Sequence, residues 1–251
     1  MTSESDPPSR IFAGDRTVSE AADAPFLTRA LIEAGAIEAI VARDAPGVRL
    51  LTAAEREASL KATLAARPAG AVWLFAYGSL IWNPTIHTAE RRTARIMGWH
   101  RAFCLSTMAG RGSAERPGLM LALDSGGSCS GVAFRIEEAS VVAELSLLWK
   151  REMLSGAYVP RWIDVHDEDG ARFASAIAFT INRANANYAG KLDREAVVER
   201  LATAAGALGT AADYLFRTRD GLRAHGIPDA ELEALAESVA AVHAGNRAHR
   251  R

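Results

Sequence analysis

Cysteine is nearly missing from this chain. Cys104 and Cys129 are the two present among 251 residues, too few for a disulfide framework and, unaided, for a zinc site. A charge excess of either sign is missing too. Basic and acidic residues almost cancel, leaving a formal charge of −1, so no overall field favours nucleic acid or an anionic lipid surface. No stretch reaches the ~18 consecutive apolar residues of a membrane-spanning helix. Residues 1–8 have neither the basic start nor the apolar run of a secretory signal. The basic end, Asn246 to Arg251, is too short to be a nucleic-acid site. The expected setting is therefore cytoplasmic and reducing, with no nucleic-acid or membrane partner. The six histidines show no metal-ligand spacing, and there is no P-loop or dinucleotide fingerprint. No metal site is expected, and the oligomeric state stays open.

What is there is a chain 49% hydrophobic, enough for one sizeable core. Residues 1 to about 17 are polar and expected to be disordered. Pro25 suits the first turn of a helix, followed by Leu27, Leu31 and Ala34 at helical spacing, with Gly35 kinking or ending it before Ile37, Ile40 and Val41. Thr52-Ala53-Ala54-Glu55 is a capping-box pattern that opens a second helix, closed by Pro68. Residues 1–70 thus read as a disordered start and a helical extension, structural rather than catalytic, packed on a domain spanning 71–245.

From Val72 the pattern turns to β, with strands expected at Val72 to Ala76, Arg95 to Ser106, Gly118 to Asp124 and Gly131 to Ile136. A helix from about Glu138 to Met153 follows, then strands at Trp162 to His166 and Arg172 to Ile181. Asp193 and Thr210 read as helix caps, and Gly226 with Pro228 separates the last two helices. Strands surrounded by helices without strict βαβ alternation predict an α+β domain around a small, barrel-like mixed sheet.

Two features bear on chemistry. Val72-Trp73-Leu74-Phe75-Ala76 runs into Tyr77-Gly78-Ser79-Leu80, a strand ending in a turn; Gly78 can take positive φ, and successive backbone N–H groups there can cradle a carboxylate or phosphate. An ordinary strand-to-loop turn is the plainer reading of the same residues. On the helix from Glu138, apolar Val141, Val142, Leu145, Leu148 and Trp149 step by three and four, and three residues further lies Glu152. A carboxylate at the end of an apolar stripe is partly desolvated, which raises its pKa and suits acid/base work; the plainer reading is a stripe emerging into water, with Glu152 paired to Lys150 or Arg151. Gly127-Ser128-Cys129-Ser130-Gly131 has the spacing of a nucleophile elbow, but Val132 to Ile136 after it reads as a strand where an elbow needs a helix. The turn Asp167 to Gly170, next to His166, reads as solvated charge. The loop from Met108 to Gly118, with Arg111, Glu115 and Arg116, could recognise an ionised ligand or simply be surface.

Together these segments resemble the ChaC-type γ-glutamylcyclotransferases. The signature is Tyr77-Gly78-Ser79-Leu80-Ile81-Trp82-Asn83-Pro84, followed in order by Arg111 to Gly118, Cys129 to Ile136, Arg151-Glu152-Met153, Gly156-Ala157-Tyr158, and C-terminal Tyr214-Leu215 and Gly226 to Asp229, over about Val72 to Val242. The resemblance implies a small β-barrel ringed by helices, no cofactor, and intramolecular cleavage of glutathione to 5-oxoproline and cysteinylglycine. It implies Glu152 as the catalytic acid/base and Tyr77, Gly78, Ser79, Leu80, Arg111, Glu115 and Tyr158 as substrate-binding. Two alternatives stay open: a cyclotransferase for γ-glutamyl amines or amino acids, and a non-catalytic small-molecule-binding module.

Overall fold

The computed structural model describes residues 27–248; the polar start and the helix turn expected at Pro25 lie outside the described residues. Helix α1 (Arg29–Glu33) is capped instead by Thr28, whose hydroxyl accepts from the Leu31 N–H. Gly35, at φ 76°, ends that turn and begins α2 (Ala36–Asp44), since only glycine adopts this left-handed backbone freely. Helix α3 (Ala53–Ala65) opens on Thr52 with both halves of the capping box formed, and ends before Pro68.

Five strands close into a barrel in the order β1-β3-β2-β4-β5. The continuous apolar run forms β1 (Trp73–Ala76), buried at every position, as expected where both faces of a strand are covered. The long strands β2 (Glu90–Thr107) and β3 (Gly118–Arg135) form an antiparallel hairpin. Strands β4 (Tyr158–His166) and β5 (Arg172–Ile181) form a second. Closure rests on a short parallel pairing of β1 with β5, Trp73 to Ala176 and Leu74 to Ile177.

Three expectations are corrected here. The strands expected at Gly118 to Asp124 and Gly131 to Ile136 are one strand. Gly126 and Gly127 take φ of 100° and 69°, and the register shifts opposite them between Met97 and Trp99, so the glycines bend the ribbon as a bulge without ending it. Strand β4 starts at Tyr158, not Trp162: the half that contains Pro160 pairs with β5 alone, and a strand unpaired on one side accommodates proline. Val142, assigned above to the apolar stripe, is 64% exposed.

Its place on the buried face belongs to Glu144. Helix α5 (Val141–Glu152) buries Val141, Glu144, Leu145, Leu147, Leu148 and Trp149, and Trp149 meets Phe179 of β5 edge-on at 5.3 Å. Strand β3 leads into α5 through a short 3₁₀ turn at Glu138–Ser140. Helices α6 (Arg194–Thr203), α7 (Ala211–Ala224) and α8 (Ala230–Ala248) follow. Asp193 and Thr210 cap the first two as expected, accepting from the N–H groups of Ala196 and Asp213.

The N-terminal helices are hydrogen-bonded to the barrel domain. Trp149 donates to Ser59 at 3.1 Å and Trp162 to the Thr63 carbonyl at 2.8 Å, while Leu51 N–H donates to the Leu154 carbonyl at 2.8 Å. No helix among the described residues is long and apolar enough to cross a membrane.

Candidate active site

Glu152 is the last residue of α5, and three-residue spacing from Trp149 turns it inward. Its side chain keeps 12% exposure and pairs with Arg151 at 2.9 Å. Burial pushes the Glu152 carboxyl above the usual carboxylate range, and Arg151 pulls against that shift without overcoming it. Arg151 is itself only 7% exposed. Its other donors go to the Asn83 carbonyl at 2.6 Å, the Thr85 hydroxyl at 3.1 Å and the Ser79 hydroxyl at 2.9 Å. One guanidinium thus ties the end of α5 to the turn after β1. Thr85, held in this way, is the one non-glycine at positive φ (58°) among the described residues, a conformation that a β-branched residue adopts only under tertiary constraint.

The turn itself differs from the expectation. Gly78 sits at φ −136°, not in the left-handed region, and precedes the single turn α4 (Ser79–Trp82). A side chain is barred there for another reason: a Cβ would lie 2.8 Å from the Tyr214 hydroxyl. Tyr77 and Leu80 are buried, and the Tyr77 hydroxyl donates to the Phe179 carbonyl at 2.6 Å. Of the four turn residues, Ser79 lines the adjoining cavity. Tyr77, Gly78 and Leu80 stand behind Ser79, outside the cavity lining. Arg101 holds the backbone of the turn, donating to the Tyr77 carbonyl at 2.6 Å while pairing with Asp229.

The cavity has a volume of about 200 Å³ and is lined by Glu152, Arg151, Tyr158 and Arg111 among others. Tyr158 donates to the Leu121 carbonyl at 3.0 Å, and the Leu121 N–H faces the Tyr214 oxygen. Burial raises all three phenols: Tyr214 to about 12, Tyr77 and Tyr158 well above the usual value. They act at neutral pH as uncharged hydrogen-bonding groups. Arg111 lies against the rings of Trp82 and Tyr214, at 5.8 and 5.6 Å, and donates to the Thr210 carbonyl at 2.9 Å and to Asp213 at 3.2 Å. Arg217 shares Asp213, at 2.7 Å.

Glu115 does not join them. It is exposed, outside the cavity lining, and its carboxylate is held down by its own backbone N–H and Ser113. Arg116 is exposed on the same turn. The loop makes a tight return at Gly112 and Gly118, where a Cβ on either would lie 2.2 Å from the other's backbone neighbourhood, so Arg111 points in while the tip points out.

Sequence reasoning missed Trp82, Asp213 and Arg217 as cavity residues, and gave Tyr214 no role. From the N-terminal extension, Ile37, Ile40, Val41, Ala45 and Val48 also line the cavity. No short-range pattern connects these positions to Glu152. The Cys129 elbow is excluded as expected: Cys129 lies within β3, buried, with its thiol raised by burial. No group of three or more His, Cys, Asp or Glu among the described residues could hold a metal ion.

Comparison with known proteins adds an independent line. Residues 72–242 match the family model for ChaC-like protein. The glutathione-specific gamma-glutamylcyclotransferase of Escherichia coli (strain K12) is 46% identical over 198 residues, covering 78% of this chain and 85% of that protein. Glutathione-specific gamma-glutamylcyclotransferase 1 of Homo sapiens is 31% identical over 175 residues, covering 68% and 78%. A crystal structure of a yeast γ-glutamyl cyclotransferase specific to glutathione superposes with a TM-score of 0.62 at 20% identity, covering 68% of this chain and 96% of that one; at that identity it speaks for the barrel fold.

Proposed function

This chain belongs to the ChaC-like family, and from that premise we propose that it is a γ-glutamylcyclotransferase that cleaves glutathione to 5-oxoproline and cysteinylglycine. The observation that carries the reading is Glu152, a carboxyl lifted by burial and lining a cavity otherwise rich in arginine. The lining holds Arg111, Arg151 and Arg217 with Asp213 and Glu152, one positive charge in excess when both carboxyls are ionised. Glutathione at neutral pH has two carboxylates and one ammonium, one negative charge in excess, so ligand and cavity neutralise each other.

The chemistry needs one proton carrier. Glu152 takes a proton from the substrate's α-ammonium, and the freed amine attacks the γ-carbonyl carbon. In this reading the Ser79 hydroxyl, which lines the cavity, and backbone N–H groups of the Tyr77 to Leu80 turn steady a substrate carboxylate or the developing oxyanion. The amide bond to cysteine then breaks as Glu152 returns the proton to the leaving amine, and the second proton of the ring nitrogen passes to that same amine, which departs as an ammonium. A new C–N bond closes the five-membered ring as the old one opens, with no net gain or loss of water. The cavity's share is to fold a flexible γ-glutamyl chain into ring-closing geometry, where effective molarities of ~10⁵ M or more are attainable. A thiol substrate suits the cytoplasm, as do two buried, unpaired cysteines.

In this reading glycine recognition falls to Arg111 and Arg217, which can share the distal carboxylate, in preference to Arg116, which lies outside the lining. Purified protein incubated with glutathione should release 5-oxoproline, with kcat/KM about tenfold or more above that for γ-glutamylcysteine. No 5-oxoproline from either compound would sink the reading. Equal values would remove the glycine contact and favour a cyclotransferase with broader γ-glutamyl scope.

A further inference from the structure

The cavity lining divides by chemistry. The arginines, Asp213 and Glu152 make one part of it, and Ile37, Ile40, Val41, Ala45 and Val48 with Leu154 make another, wholly aliphatic. That aliphatic wall is anchored firmly beside the reacting groups. Leu51 N–H donates to Leu154, two residues past Glu152, at 2.8 Å. Asn83, whose carbonyl takes an Arg151 donor, sends its side-chain amide to the Leu27 carbonyl at 3.0 Å. Arg56 pairs with Glu38 of α2 at 3.3 Å. Ile37, Val41 and Val48 stay only half-buried in this setting, although close packing is the rule for protein interiors. Aliphatic surface left facing a cavity is surface awaiting an apolar ligand group.

Glutathione itself brings little to such a wall. Its two carboxylates and ammonium are drawn to the charged part, and the γ-carbonyl must reach Glu152. The cysteine side chain is the piece left over, with a single methylene and a thiol. We propose that the N-terminal wall is a subsite for an apolar substituent on that sulfur, so that S-alkyl and S-aryl conjugates of glutathione are substrates. This rests on the cyclotransferase reading and adds a substrate class to it. The substituent takes no part in the bond changes: the α-amine still closes on the γ-carbonyl, the Glu–Cys amide still breaks, and the product is an S-substituted cysteinylglycine.

The test uses the full chain and a ladder of glutathione, S-methylglutathione and S-hexylglutathione, read by 5-oxoproline release. Each methylene buried against the wall should tighten binding by up to about fourfold, so KM should fall at least tenfold from S-methyl to S-hexyl. Val41→Asp, which puts a charge into the wall, should lower the ratio of kcat/KM for S-hexylglutathione to that for glutathione by tenfold or more. If that variant does not fold, Val41→Ala should still lower the ratio severalfold. The subsite is overturned if glutathione is cleaved while S-hexylglutathione is neither a substrate nor a competitive inhibitor, or if KM ignores chain length in the wild type. Absence of 5-oxoproline from all three compounds would instead overturn the cyclotransferase reading beneath it.

Discussion

Glu144 and Glu152 stand on the same buried side of α5, about two turns apart, yet their surroundings drive their acidities in opposite directions. Burial alone would raise both. At Glu144, 4% exposed, it is outweighed by Arg29 at 2.6 Å and by the backbone N–H of His87 at 3.1 Å, with the His87 ring alongside. The carboxyl falls below the usual range. At Glu152 burial is opposed by a single ion pair with Arg151, and the carboxyl rises. Arg151 has little more to offer, because its remaining donors are committed to Ser79, Asn83 and Thr85. The difference teaches that burial marks neither a structural nor a catalytic carboxylate; the count of donors reaching it does.

Glu152→Gln should sharpen that contrast most. Glutamine keeps the shape and can still accept from Arg151 but cannot cycle a proton, so kcat should fall by ~10² or more. In the wild type, a base raised above the ordinary range must first ionise, so kcat/KM should climb as pH rises through that elevated value. Stability moves the other way. A carboxyl that protonates more readily in the fold favours folding most at low pH, and the advantage is lost as pH rises from the unfolded value through the raised one. The Gln variant lacks that loss and should melt at or above the wild-type temperature at pH 7. A variant with near-wild-type turnover, measured beside its thermal unfolding, would take Glu152 out of the mechanism.

Glu144→Gln should show the converse. Exchanging a charge-assisted set of hydrogen bonds for neutral ones at a buried site costs about 1–3 kcal/mol, or ~2–4 °C in melting temperature per kcal/mol for a chain of this size. The contribution of Glu144 is present above the unfolded carboxyl value and fades as pH falls through the lowered one. The melting difference from wild type should therefore shrink in acid, while turnover per folded molecule changes little. A loss of turnover matching that of Glu152→Gln, with unchanged melting, would break the comparison.

The smallest effect is expected at Glu115. Implied by family resemblance as a binding residue, it lies exposed outside the cavity. Glu115→Ala should change stability by no more than ~0.5 kcal/mol and kcat/KM for glutathione by less than about twofold. A drop of tenfold would mean that the 113–116 turn folds over bound substrate.

Much of the local structure was legible without coordinates. The Thr52 capping box, the Asp193 and Thr210 caps and the buried strand at 73–76 depend on neighbours within a few residues, and each formed as read. Glu152 was legible for the same reason, since helical periodicity alone turns it inward. Val142 and Glu144 exchanged roles because the partners that admit a buried carboxylate, Arg29 and His87, lie more than fifty residues away in sequence. Glycines 126 and 127 were read as a break between strands because a bulge and a turn use the same residue.

By itself, then, the sequence determined most of the elements, their caps and the place of Glu152 at the end of an apolar helix stripe, because those follow from backbone sterics and short-range periodicity. Tertiary structure alone decided the rest. It closed the barrel by pairing β1 with β5 about a hundred residues away and drew Asp213, Tyr214 and Arg217 of α7 to the same cavity as α2. It also set Gly78 against Tyr214 and turned Arg111 inward while leaving Glu115 in water. These are long-range contacts, whose formation depends on how the whole core packs, and no spacing along the chain encodes them.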